Sequence, residues 1–152
     1  MTRKMFEGTE GAFLAVGTNK SERLPGDNIR IGIEAAKPGN TTGDIGAAIQ
    51  TYVEAQRCSV VRDFCGHGLG LLFHDTPNIL HYGRPGEGVE LKPGMIFTIE
   101  PMINTGKRHV KLLPDRWTVV TKDRSLSAQW EHTILVTDDG YDVLTQLEGD
   151  EV

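Results

Sequence analysis

One imidazole and two carboxylates in this chain occupy contexts suited to sharing a divalent cation. His67 lies in Cys65-Gly66-His67-Gly68-Leu69-Gly70, Glu100 in Thr98-Ile99-Glu100-Pro101, and Glu131 in Gln129-Trp130-Glu131-His132. An imidazole nitrogen with two carboxylates is a donor set for a divalent transition metal, and a metal so held activates water and polarises a carbonyl. The reaction class is metal-assisted hydrolysis. Glu100 and Glu131 each interrupt a run that otherwise reads as buried, where a carboxylate needs a cation or hydrogen bonds to compensate it. Glycines around His67 let the backbone bend to aim the ring and let another group approach closely. Each residue also has a plainer reading: His67 as a structural histidine, Glu100 at a strand edge, Glu131 paired with a lysine. His74, His81, His109 and His132 read, one by one, as surface or hydrogen-bonded histidines. Cys65 beside His67 marks no catalytic thiol, and Cys-Gly-His lacks the second spaced cysteine of a zinc knuckle. No upstream pair of aspartates in strand context is present to complete a two-metal site.

These side chains need elements to carry them. Pro25-Gly26-Asp27-Asn28 is a breaker cluster, and a short helix is expected from Ile29 to Ala36, capped by Asp27 or Asn28 and weakened by Gly32. Ile45, Ala48, Ile49, Tyr52 and Val53 recur at helical spacing, which predicts an amphipathic helix over about 42–57. Thr41 and Thr42 offer its N-cap, and Asp44 brings a negative charge to its first turn. After Arg57 the pattern becomes extended. Strands are expected over 59–64, 95–103, 110–113, 117–121 and 129–137, with a glycine-rich loop at 65–70. Alternation puts Ile96, Thr98 and Glu100 on one face, and Gln129, Glu131, Thr133 and Leu135 together. Asp138-Asp139-Gly140 predicts a hairpin into Tyr141–Thr145. Towards the N-terminus, a turn is expected at Glu7–Gly11 and a short strand or a buried segment at Ala12–Val16. Helices first and an antiparallel sheet after them is an α+β pattern.

Composition narrows the partners. The chain has 152 residues, suited to a single domain, with 38% apolar and 24% charged residues. Sixteen Lys and Arg against 21 Asp and Glu give a net charge of −5, and no basic stripe marks a nucleic-acid surface. Two cysteines make no disulfide framework. The N-terminal residues show no signal-peptide apolar run, and no window approaches a membrane span. A cytoplasmic location is the expectation. Eighteen glycines point to a loop-rich site rather than a helical bundle.

Four stretches together carry a resemblance. Asp63–Gly70, Phe73-His74-Asp75-Thr76-Pro77, Lys92–Met102 and Thr121–Thr133, in this order, look like the C-terminal half of a type I bacterial methionine aminopeptidase. The likeness is strong over 37–145 and poor over 1–36, with a weaker echo at Thr2–Phe6. It implies half of the pita-bread fold, helices packed on an antiparallel sheet, and metal-dependent removal of the N-terminal methionine from peptides or nascent proteins. By resemblance, His67, Glu100 and Glu131 match three of the family's five metal ligands. Glu131 matches the bridging glutamate. Glu100 matches a ligand also regarded as proton acceptor for the attacking water. His74 matches the histidine that contacts the scissile peptide and steadies the tetrahedral intermediate. Phe73 and Trp117 match walls of the methionine pocket. The family's two aspartate ligands have no counterpart, and Met1 stands where the second would fall. The cofactor expected is therefore at most one weakly bound divalent ion, Co, Mn, Fe or Zn. The alternative reading is a non-catalytic binding module or gene fragment that forms a homodimer or pairs with a complementing chain.

Overall fold

The computed structural model describes residues 25–146; the turn and the strand or buried segment expected over 7–16 and the echo at 2–6 lie outside them. Two helices come first: α1 (Pro25–Glu34) and α2 (Thr42–Ala55). Helix α1 begins at the expected breaker rather than after it. Proline is well placed in a first helical turn, where no intrahelical partner waits for an N–H. Gly32 does not weaken this helix without return, because a Cβ there would stand 2.6 Å from the Ile49 side chain. The glycine is what lets α1 close on α2.

Helix α2 matches its sequence signature. The Thr41 hydroxyl accepts the Asp44 N–H at 3.3 Å, and Asp44 Oδ2 accepts the Thr41 N–H at 2.7 Å, a reciprocal capping box. Ile45, Ile49 and Val53 form its fully buried stripe. The helix ends by Arg57, whose φ of 60° is a left-handed stop. Helix α2 also lies directly on the chain after the third strand: a Cβ on Gly46 would meet the carbonyl oxygens of Tyr82 at 2.5 Å and Leu80 at 2.7 Å.

Ten short strands follow: β1 (Ser59–Val60), β2 (Gly66–Gly68), β3 (Asp75–Ile79), β4 (Ile96–Ile99), β5 (Met102–Asn104), β6 (Val110–Leu112), β7 (Val119–Thr121), β8 (Ser127–Gln129), β9 (His132–Val136) and β10 (Tyr141–Val143). They make a five-stranded sheet ordered β10-β9-β4-β2-β3, a three-stranded sheet β1-β5-β8 and the β6–β7 ribbon, all antiparallel. The α+β expectation holds, with the strands divided among three sheets. The helices pack on the first two sheets over a core of Ile29, Ile33, Ile45, Ile49, Val53, Ile79, Phe97, Ile99, Ile134 and Val136.

Three expectations are corrected. The extended run at 59–64 is strand only over Ser59–Val60, with one further backbone bond from Val61 N–H to the Met102 carbonyl. The glycine-rich segment holds a strand, β2, inserted between β4 and β3. Its glycines serve close packing: a Cβ on Gly66 would collide with the Thr98 carbonyl oxygen, and one on Gly68 with that of Thr76. Finally, the runs 95–103 and 129–137 are not single strands. Each leaves one sheet at its midpoint and enters another, at Glu100-Pro101 and Trp130-Glu131. Proline cannot donate to a ladder, which fits Pro101 to the break.

Because the Gly66 site faces backbone rather than a movable side chain, Gly66→Ala is expected to lower stability by about 2–3 kcal/mol in urea denaturation. Gly140→Ala, whose nearest neighbour is Thr137 Oγ1 at 3.9 Å, is expected to stay within about 0.5 kcal/mol of the parent.

Candidate functional site

The break between sheets sets the geometry of the acidic pair. Strands β4 and β9 pair through Ile99 with His132, and β5 and β8 pair through Met102 with Gln129. Two residues on each side lie between these registers, so Glu100 falls opposite Glu131 and Pro101 opposite Trp130. Directly opposed residues share a face, with Cβ atoms about 5 Å apart. Gln129 lies on that face as well, and its Nε2 donates to Glu100 Oε2 at 3.3 Å. Like charges facing each other across a ladder are destabilising unless something positive stands with them.

His67 reaches the same place from β2. It is 8% exposed, and its N–H donates to Thr98 Oγ1 at 3.0 Å. That hydroxyl in turn donates to Glu100 Oε1 at 2.8 Å, so one threonine ties both candidate ligands together. The ring is oriented by a second contact: Nδ1 lies 2.9 Å from the Gly68 carbonyl oxygen. A carbonyl only accepts, so Nδ1 carries a proton, and Nε2 is the ring nitrogen turned to the carboxylate. Nε2 stands 3.7 Å from Glu100 Oε1. A proton or a divalent cation placed between these two atoms would be bound by both. Imidazole with its far nitrogen held by a carbonyl is also the usual presentation of a metal-binding histidine. On this chemistry the residues fit a divalent metal.

Of the three expected ligands, two meet. Among the described residues no three His, Cys, Asp or Glu side chains form a metal-holding group. Glu131 joins through strand register alone, while both Glu100 oxygens are engaged by Thr98 and Gln129. The other predicted residues divide. Phe73 and His74, in the loop after β2, gather on His67: ring centroids lie 5.6 Å and 4.3 Å from it, and 4.7 Å from each other. Both are exposed, Phe73 by 75%. Trp117 stands on the β6–β7 hairpin and is 82% exposed.

The structure adds residues that sequence reasoning left aside. Thr98 and Gln129 were placed beside the glutamates by alternation, without a role. His81 is the larger omission. It is 2% exposed, and its Nε2 accepts the Glu100 N–H at 3.0 Å. Burial pushes its pKa down to about 3, so the ring is neutral at physiological pH. No local signal in Leu80-His81-Tyr82 announces this. Cys65 stays an ordinary thiol: burial, and then the Glu100 charge, raise its pKa. His132, also buried, points Nδ1 at Thr145 Oγ1, 3.0 Å away. His109 is the exposed surface histidine expected.

Residues 28–138 match the metallopeptidase family M24. The chain belongs to that family. Among M24 relatives it is 54% identical over 144 residues to methionine aminopeptidase A of Synechocystis, covering 95% of this chain and 55% of that protein. It is 52% identical over 130 residues to the methionine aminopeptidase of Escherichia coli, covering 86% of this chain and 49% of that one. The crystal structure of the Rickettsia prowazekii methionine aminopeptidase superposes with a TM-score of 0.80 at 54% identity, over 84% of this chain and 53% of that one. The chain thus spans about half the length of the curated relatives it matches. M24 membership brings divalent-metal use with it.

The two causes named for Cys65 yield a test. A raised pKa leaves less thiolate, the reactive form, at pH 8. Alkylation of Cys65 by iodoacetamide, read by peptide mass, is expected to run slower in the folded chain than in urea. It is expected to speed up in Glu100→Gln, which removes the neighbouring charge.

Proposed function

We propose that this chain carries the half of a methionine aminopeptidase that supplies His67, Glu100 and Glu131 to a divalent metal, and that it serves removal of N-terminal methionine from peptides and nascent proteins in the cytoplasm. The single observation that carries the reading is His67 Nε2 standing 3.7 Å from Glu100 Oε1, with Glu131 opposite Glu100 in register. The names and identities of the relatives support the substrate.

The ion supplies Lewis acidity and a lowered pKa for water. The remaining work belongs to the side chains. Glu100 Oε1, beside His67 Nε2, takes the proton from the attacking water. His74, exposed and in edge contact with His67, donates to the carbonyl oxygen of the scissile peptide. Phe73 and Trp117 offer apolar surface to an unbranched thioether. Residues 1–152 form one catalytic unit in this reading. One ion of Mn, Fe, Co or Zn is held per chain in this reading, by His67, Glu100 and Glu131.

A second reading is favoured by Leu71-Leu72-Phe73, exposed by 102%, 65% and 75% beside the site. An apolar run so placed suits a protein surface. The chain would then be a non-catalytic module joined to a second copy or a complementing chain. Light scattering decides between them: dimerisation without metal-dependent hydrolysis favours this reading, and an active monomer removes it.

For the main reading, calorimetric titration with Mn or Co is expected to show one weak site per chain. Loss of at least tenfold in affinity is expected in Glu100→Ala. Metal-dependent release of methionine from Met-Ala-Ser is expected to fall about 10²–10⁴-fold in the same variant. Two tight sites per chain would overturn the mononuclear assignment, and absence of binding would overturn the metal centre.

A further inference from the structure

We infer that His81 is a positioning residue for Glu100, holding the main chain of that glutamate where β4 runs out. The argument starts from backbone parity. Met95 C=O accepts from Val136 N–H on the β9 side of β4, and Ile96 C=O accepts from Leu69 N–H on the β2 side. Odd-numbered residues of β4 therefore turn their backbone groups to β9, and even-numbered ones to β2. Glu100 is even-numbered and lies one residue past the end of β4. Its N–H donates to a side-chain nitrogen, His81 Nε2 at 3.0 Å, in place of a strand carbonyl.

His81 is itself held. It lies two residues past β3, and Gly46 of α2 presses on the carbonyls of its two neighbours, Leu80 and Tyr82. Helix, strand end and glutamate are thus joined through one buried ring. Accepting an N–H requires Nε2 to be unprotonated, so the ring carries its proton on Nδ1. Without this acceptor the Glu100 N–H would be left at a part-buried site, and the segment would turn to find another partner. The carboxylate, two methylenes from that backbone, would move with it, away from Thr98, Gln129 and His67 Nε2. His81 touches neither metal nor substrate in this scheme; it acts through Glu100.

The inference rests on the metallopeptidase reading only for its second test. In the first, nitrogen-15 NMR of the metal-free full chain is expected to show His81 as the Nδ1–H tautomer at pH 7, with the Glu100 amide slow to exchange. An Nε2–H tautomer or a fast-exchanging Glu100 amide would overturn it. In the second, Co titration is followed by calorimetry and by visible absorption in the parent, His81→Phe and His81→Gln. Glutamine keeps an acceptor near the position of Nε2; phenylalanine keeps the bulk and loses the acceptor. His81→Phe is expected to lose at least tenfold in affinity with a changed Co spectrum, and His81→Gln to recover to within about threefold of the parent. A folded His81→Phe that binds Co with the parental affinity and spectrum would overturn the inference. Failure of the parent itself to bind Co would sink the proposed function instead, and the tautomer measurement still decides the role of His81. A His81→Phe chain that does not fold leaves the decision with that same measurement and with His81→Gln.

Discussion

Two strand pairs run out of one sheet and into another side by side, and the site depends on that shared crossing. Strands β4 and β9 belong to the five-stranded sheet, β5 and β8 to the three-stranded one, and the register does not slip between them. Two residues on each strand bridge the gap. At such a place backbone groups lose their regular partners while the side chains remain held on both flanks. Glu100 and Glu131 occupy it, facing each other.

The packing around the crossing supplies the rest of the geometry. Gly66 and Gly68 let β2 lie against β4 and β3 closely enough to deliver His67 to Glu100. Thr98 takes the His67 N–H and gives its own hydroxyl proton to Glu100, so the imidazole and the carboxylate share one rigid neighbour. Gln129 holds the second carboxylate oxygen from the facing strand, and His81 holds the backbone from behind. Neutral hydrogen-bond partners of this kind orient a carboxylate without a fixed positive charge to compete for it. The exposed side is different in character. Phe73 and His74 stack on His67 yet face outward, which suits groups that meet a ligand rather than fill a core.

Much of this was legible from local pattern. The capping residues of α2 and its buried stripe at Ile45, Ile49 and Val53 follow from spacing and from Thr41 and Asp44, because a helix is built from neighbours within four residues. Period-two alternation put Thr98 with Glu100 and Gln129 with Glu131, and the structure keeps those faces. The misreadings share a cause. Gly66-His67-Gly68 looked like a loop because strand propensity is low for glycine, while its actual role is set by the carbonyls of Thr98 and Thr76 on two flanking chains. Gly32 looked like a flaw until Ile49 stood opposite it. The runs 95–103 and 129–137 looked continuous because alternation persists through a break that only a change of pairing partner defines.

The residue types at positions 67, 100 and 131 carry the chemistry proposed, since imidazole and carboxylates are donors suited to a divalent ion. Local spacing likewise determined the second helix and most strand positions. Tertiary structure decided which of those groups meet. Only the register across two sheets sets Glu100 against Glu131, and only the insertion of β2 beside β4 brings His67 Nε2 to 3.7 Å from Glu100. It also assigned His81, whose neighbours in sequence say nothing about a glutamate nineteen positions away. Hydrogen bonds between distant segments depend on where whole strands end, and no local stretch of sequence carries that information.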